Sequence, residues 1–418
     1  MPRTTARRGW LLAASLLTGA LAAACSSGPA PHAAPSSSPL TSAAPGSGAP
    51  ASPTSAAPTS GSPTTAAPAP STPRRTTAPP PPATSNLTTA QLVGQRIVYS
   101  YPGLTPPASL LQRIRAGQVA GVIFFGQNVS SAAQLRSAVA TLRSAQQASP
   151  VHQPLLLMTD QEGGIVRRVP GAPLQSAKEI GATGDPAQAA PAGSAAGVNL
   201  RGLGLNLNLA PVLDVYHSPG DFADSAQRSF SSDPATVASM GSAFIRAQQQ
   251  AGAAATAKHF PGLGAAGRTQ NTDLEPVTIN ESLTRLRQVD EAPYPSAIAA
   301  GVRLVMLSWA VYPALDGSHP AGLSPTVVQE LRGRLGFGGV TITDALEAKA
   351  LTAYGSTGNR ALAAVSAGMD LLLCSSQSVS QGDAAAQALV SALDSGRLNR
   401  AAFAAAAARV TALRSGLG

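Results

Sequence analysis

Eight short apolar runs recur along the chain, each separated from the next by a longer amphipathic stretch, and this alternation limits the possible folds more than any other feature. The runs are Arg96–Tyr99, Val119–Phe125, Pro154–Thr159, Leu205–Leu209, Ala253–Ala257, Val302–Leu307, Gly339–Thr343 and Met369–Cys374. They are apolar throughout rather than alternating, so they read as strands covered on both faces, the pattern of a parallel sheet. The stretches between them carry helix signals: Ser324-Pro325 opens Thr326–Arg334, and Gly368 closes Asn359–Ala367. Parallel strands joined by right-handed crossovers, eight in number, predict an α/β fold of the closed (β/α)8 TIM type rather than an open doubly wound sheet. Neither a Rossmann glycine pattern nor a P-loop follows any run, so a nucleotide cofactor is not expected.

The barrel occupies only part of the 418 residues. Folded sequence begins near Leu87, where Thr88-Thr89-Ala90-Gln91 has capping-box spacing and Leu87 and Leu92 stand as a hydrophobic staple. One catalytic domain, 87–418, is expected, ending in helical stretches at Ala384–Leu393 and Arg400–Leu413. Upstream, 25–86 is almost wholly Ser, Pro, Ala, Thr and Gly. Such a segment has too little apolar surface to offset its ordering entropy, and it reads as a disordered stalk. Residues 1–24 combine Arg3, Arg7 and Arg8 with an apolar run from Gly9 to Ala24, the make-up of a secretory signal peptide. Its end, Leu21-Ala22-Ala23-Ala24-Cys25, resembles a bacterial lipobox. That implies cleavage before Cys25, lipidation of its thiol and a tether to the outer face of the bacterial cell membrane. An ordinary signal ahead of a chance cysteine is the alternative. The one other cysteine, Cys374, lies in an apolar run and reads as a buried small hydrophobe, so no disulfide framework is expected.

Net charge is +9, and removal of 1–24 with its three arginines leaves +6. No block of basic residues remains and aromatic residues are sparse, which argues against a nucleic-acid partner.

Chemistry concentrates in Thr256–Asp273, where a small apolar run delivers Lys258 and His259 side by side before Pro261, Gly262 and Gly264 turn the backbone away. In a parallel barrel ligands collect where strands end, so this pair suggests a polar ligand. A helix cap or a satisfied core histidine is the structural alternative. Other runs end similarly: Leu155–Thr159 in Asp160-Gln161-Glu162, Asn208–Leu213 in Asp214, and Val340–Thr343 in Asp344. For any one of these residues capping or ion pairing is the plainer reading. Four strand ends that share the pattern point to a site.

Five segments, Asp160–Gly164, Ala210–Val215, Arg228–Pro234, Lys258–Gly262 and Thr341–Glu347, resemble the successive motifs of family 3 glycoside hydrolases. The resemblance extends over Leu87–Gly418 and is nearest to the single-domain β-N-acetylhexosaminidases of peptidoglycan turnover. It implies that Asp344 is the nucleophile of a retaining reaction, and that Asp160, Arg228, Lys258 and His259 hold sugar hydroxyls. For Arg228 an ion pair with Asp233 or Asp214 is also open, and Glu162 and Asp214 read as scaffold that fixes loops through backbone bonds. His152 and His217 lack motif context and read as surface or capping residues. No cluster has metal-site spacing, so no metal is expected.

Two departures from the family pattern stand out. The loop after His259 lacks the two histidines of the acetylhexosaminidases, including the one that shares acid/base work with an aspartate. Leu263 and Asp273-Leu274-Glu275 occupy the corresponding places. Asp273 is the expected acid/base and Glu275 the alternative, on a loop whose glycines would let it close over substrate. Trp309 replaces a frequent histidine and either stacks on a sugar or packs the barrel mouth. The sequence therefore predicts an exo-glycosidase that releases a terminal β-linked amino sugar, N-acetylglucosamine, from cell-wall fragments without a cofactor. A sugar-binding lipoprotein without catalysis, or a β-glucosidase or phosphorylase on the same barrel, are the other readings.

Overall fold

The computed structural model describes residues 86–417; the signal segment 1–24, Cys25 and, but for Asn86, the stretch 25–86 lie outside them. Eight parallel strands close a barrel: β1 (Ile97–Tyr99), β2 (Gly121–Ile123), β3 (Leu156–Thr159), β4 (Leu207–Asn208), β5 (Ala254–Phe260), β6 (Leu304–Leu307), β7 (Val340–Ala345) and β8 (Leu371–Leu373). Neighbours around the barrel follow chain order, and Ile97 beside Leu372 closes β1 onto β8. Every predicted run overlaps a barrel strand, and the predicted capping box at Thr88 is formed.

Through the body of the barrel the strands alternate, with register shifts only toward the carboxyl ends of β5 and β7. Val98, Leu156, Met158, Ala254, Leu304, Val340, Ile342 and Leu371 fill the barrel interior, while Ile97, Leu155, Leu157, Ala253, Ala255 and Val305 face the surrounding helices. Each fully buried aliphatic side chain contributes about 1.5–3 kcal/mol of transfer free energy. The same period of two, carried one step further toward the carboxyl end, turns Asp160, Lys258 and Asp344 inward at the mouth. At the opposite end Asp370 accepts from Thr341 N and from Arg409, and Arg414 of the last helix donates to the carbonyls of Gln153 and Pro154.

The boundaries differ from expectation where polar residues stand inside strands. β5 runs to Phe260 through Lys258 and His259, and β7 runs to Ala345 through Asp344, because ion pairs and hydrogen bonds satisfy groups that a hydropathy pattern reads as a strand end. Thr326–Arg334 is not one α-helix: Pro325–Gln329 is α-helical and Glu330–Arg334 is π-helical. The carboxyl-terminal helices are longer than predicted, Val379–Asp394 and Arg400–Ser415. Among the described residues no helix is long and apolar enough to cross a membrane.

Candidate active site

The inward groups at the carboxyl ends of β3, β5 and β7 border a cavity of about 340 Å³, within the range of small-ligand sites. One side is held by ion pairs. Lys258 Nζ, 2% exposed as a side chain, lies 2.7 Å from both Asp160 Oδ1 and Glu162 Oε1. Arg228 grips Glu162 with two parallel bonds of 2.8 Å, so Glu162 bridges both cations. Burial alone opposes charge on Glu162, but Arg228 and Lys258 outweigh it and hold its carboxyl well below the usual range. Lys258 is likewise desolvated, yet Asp160 and Glu162 raise its affinity for its proton.

The partner of Arg228 is thus Glu162, from the segment after the neighbouring strand β3, and neither sequence candidate fills that role. Asp233 caps the helix Pro234–Gln250 through Thr236 N, and Asp214 is committed elsewhere. Nor is Glu162 mere loop scaffold, since it neutralises the cationic side of the cavity. Asp214 does fix backbone, as expected. Its Oδ1 accepts from His259 N and Leu263 N, and its Oδ2 lies 2.7 Å from His259 Nδ1. Burial works against the Asp214 charge, and His259 with the two backbone donors overcomes it and lowers the pKa. With Nδ1 given to a carboxylate, the imidazole presents Nε2 to the cavity.

The loop that follows is shaped by glycine at two points. Gly262 has φ +140° against Asp290, and a Cβ on Gly264 would stand 1.7 Å from Val215 O. Beyond them the segment is pinned rather than free to hinge: Lys349 N donates to Asp273 O and Ala350 N to Thr272 O, each at 3.1 Å. Asn271 turns the chain, its Oδ1 accepting from Asp273 N. Asp273 borders the cavity, whereas Glu275 is exposed and does not, because the turn that presents one carboxylate directs the other to solvent.

Three carboxylates stand on this second side. Asp344 Oδ1 accepts from Ala345 N at 2.7 Å, and among the described residues it has no cation within ion-pair distance. Asp273 belongs to an exposed residue of the rim, but its carboxyl faces the cavity. There burial and the neighbouring Asp344 outweigh His259 and Arg228 and push its pKa up to about 6. Glu347 escaped sequence reasoning although it ends one of the quoted motifs. It accepts from Ser375 Oγ at 2.7 Å, from Ser375 N and from Gln381 Nε2, and it lines the cavity. A carboxylate without a counter-cation beside a second carboxyl that keeps its proton in mild acid is a combination suited to a nucleophile and a proton donor.

Other expectations resolve outside the cavity. Trp309 is 1% exposed and donates to Ala345 O, so it packs beneath β7. His217 is not a surface residue: its side chain, 8% exposed, bridges Glu281 at 3.2 Å and Asp290 at 3.0 Å, partners far away in sequence. His152 is exposed and Cys374 is buried. Among the described residues no group of three or more His, Cys, Asp or Glu is placed to hold a metal ion.

The Glycosyl hydrolase family 3 N terminal domain matches residues 90–413. An uncharacterized secreted glycosyl hydrolase of Arthroderma benhamiae is 48% identical over 328 residues, 78% of this chain and 92% of that protein. A beta-hexosaminidase of Stenotrophomonas maltophilia is 35% identical over 61% of this chain and 76% of its own. Among solved structures, a family 3 beta-N-acetylglucosaminidase from Paenibacillus superposes with a TM-score of 0.75 at 36% identity, over 79% of this chain and 62% of that one.

Proposed function

Because the chain belongs to glycosyl hydrolase family 3 and is a glycoside hydrolase, we propose that it is a retaining β-N-acetylhexosaminidase acting on terminal N-acetylglucosamine of cell-wall fragments, with both reacting carboxylates in one domain. The observation that carries this reading is the pair on the second wall: Asp344 without a counter-cation, and Asp273 pushed up to about 6 beside it. The beta-hexosaminidase and beta-N-acetylglucosaminidase relatives support the choice of sugar.

In the first step Asp344 attacks the anomeric carbon, the bond to the leaving oxygen breaks, and Asp273 gives that oxygen its proton. Esterification removes the Asp344 charge from beside Asp273, which strengthens Asp273 as an acid and leaves it ionised. In the second step Asp273 takes a proton from water, the water oxygen bonds to the anomeric carbon, and the ester to Asp344 breaks. Asp160, Lys258, Arg228 and Glu162 hold the sugar hydroxyls, the anions accepting and the cations donating. His259 adds Nε2 to that set.

Hydrolysis of chromogenic β-N-acetylglucosaminide and β-glucoside tests the sugar, and proton NMR of the first-formed anomer tests the stereochemistry. The acetylated substrate is expected to be the better one, with β-anomer released first. Preference for the glucoside, or α-anomer first, would overturn the corresponding part. Sugar 1-phosphate formed only on adding phosphate would mark a phosphorylase.

The Arthroderma relative is described as secreted, and the segment 1–24 reads as a signal peptide cleaved before Cys25. An exported protein anchored through Cys25 is therefore proposed. Cys25→Ala is expected to move the protein from the membrane fraction to the medium, and unchanged fractionation would count against the anchor.

A further inference from the structure

The end of the barrel opposite the sugar cavity carries more positive charge than its structure uses. Arg96, Arg332 and Arg409 gather round one buried carboxylate, Asp370, where β1 and β8 begin. Arg332 and Arg409 take its two oxygens, Arg409 through Nε and Nη2, and this ties the last helix to the barrel. Arg96 is 1% exposed. It donates through Nε to Asp370 O and through Nη2 to Met369 O, and its Cζ lies 4.0 Å from the centre of the Phe403 ring. Clamping the barrel accounts for all these bonds. It leaves Arg96 Nη1 and Arg409 Nη1 without a hydrogen-bond partner among the described residues, and one carboxylate among three cations. Burial pulls the pKa of Arg96 down to about 10 against the attraction of Asp370, and Arg409 adds to the fall.

Arg96 and Arg409 border a second cavity of about 370 Å³, within the range of small-ligand sites. Arg397 borders it as well. It stands in the turn between the last two helices, exposed, with only its Nε engaged, by Ser395 Oγ at 3.4 Å. No acidic residue lines this cavity. One wall is the start of the helix Arg400–Ser415, whose first turns add partial positive charge. A buried guanidinium nitrogen with nothing to donate to is costly unless an acceptor enters from the cavity. The donors indicate the class of that acceptor. Spare N–H groups come from three different elements, which suits the several oxygens of a tetrahedral phosphate better than a planar carboxylate, for which one bidentate fork suffices. Val365, Leu398 and Phe403 supply apolar surface for the carbon skeleton of an ester.

We propose that this cavity at the amino-terminal end of the barrel binds the phosphate group of a small phosphate ester, held by Arg96, Arg397 and Arg409. It is separate from the sugar cavity at the carboxyl ends of the strands, and it stands independently of the glycosidase reading. The same chemistry is offered by a soluble ester and by an anionic lipid headgroup.

The test is isothermal titration calorimetry of the full chain with inorganic phosphate and with glycerol 3-phosphate, in chloride buffer. Arg397→Glu and Arg96→Met are compared with the parent, and Arg136→Glu, an exposed arginine away from the cavity, is the control. Saturable binding is expected. Its Kd should rise about tenfold or more in Arg397→Glu and Arg96→Met and change less than about twofold in Arg136→Glu, the contrast between a charge at contact and a distant screened one. Arg397 makes no ion pair among the described residues, so Arg397→Glu is expected to fold and carries the test if Arg96→Met does not. Cosedimentation with phosphatidylglycerol and phosphatidylcholine vesicles separates the two sources. Retention on phosphatidylglycerol that Arg397→Glu removes, without binding of the soluble probes, would assign the phosphate to a lipid headgroup, since an anchor at Cys25 contributes equally to parent and variant. Binding that Arg397→Glu leaves unchanged, as for phosphate held in the sugar cavity, would overturn the inference, and so would no binding of any probe.

Discussion

Asp344→Asn is expected to abolish hydrolysis of aryl β-N-acetylglucosaminides, lowering kcat on the order of 10⁴-fold or more, the scale on which loss of an enzymic nucleophile acts. The fold should survive. Asp344 accepts one hydrogen bond, from Ala345 N, which an amide oxygen can also accept, and no ion pair is broken. The effect on stability should remain within about 1 kcal/mol. Replacing Lys258 would be different, because Asp160 and Glu162 would be left as buried charges without their shared cation. Steady-state kinetics beside a thermal melt separates the two effects. A folded Asp344→Asn protein that keeps most of its kcat would exclude Asp344 as the nucleophile.

Asp273→Ala is expected to slow phenyl glycosides by about 10²–10⁴-fold and dinitrophenyl glycosides far less, since only a poor leaving group needs the proton. Azide should restore turnover of the activated substrate and yield a β-glycosyl azide, the small anion entering where the carboxylate stood. The sign of the pH dependence follows from Asp273 at about 6. The free enzyme needs this group protonated, so kcat/KM is high below that value and falls as pH rises through it. The falling limb should be absent from Asp273→Ala. Equal slowing of both substrates, or an unaltered limb, would assign the proton transfer to another group.

The barrel was legible because it is a repeated pattern: eight runs, each apolar enough to be covered on both faces. Their ends were less legible wherever function intrudes. Lys258, His259 and Asp344 look like strand termini in a hydropathy pattern, yet Lys258 and His259 extend β5 because Asp160, Glu162 and Asp214 come from other strands to meet them, and β7 runs on through Asp344, which accepts from Ala345 N. The same limit explains Arg228 and His217. Their partners were sought nearby in sequence or not at all, while Glu162 and Asp290 reach them from the loops of neighbouring barrel strands, 66 and 73 residues away in the chain. Asp273 and Glu275 differ by two residues, and a single Asx turn at Asn271 sends one to the cavity and the other to water. Glu347 had a visible signal, an acid three residues after Asp344, but its fixed orientation depends on Ser375 and Gln381, which no local pattern connects to it.

The two main-chain bonds that tie Thr272 and Asp273 to Ala350 and Lys349 also bear on heredity. They make two stretches, distant in the gene, behave as one inherited part. A residue gained or lost in either would slide Asp273 against Asp344 by a full step, while point changes around them leave the register alone. Point substitutions along both stretches are therefore expected to be tolerated more readily than an insertion or deletion in either alone.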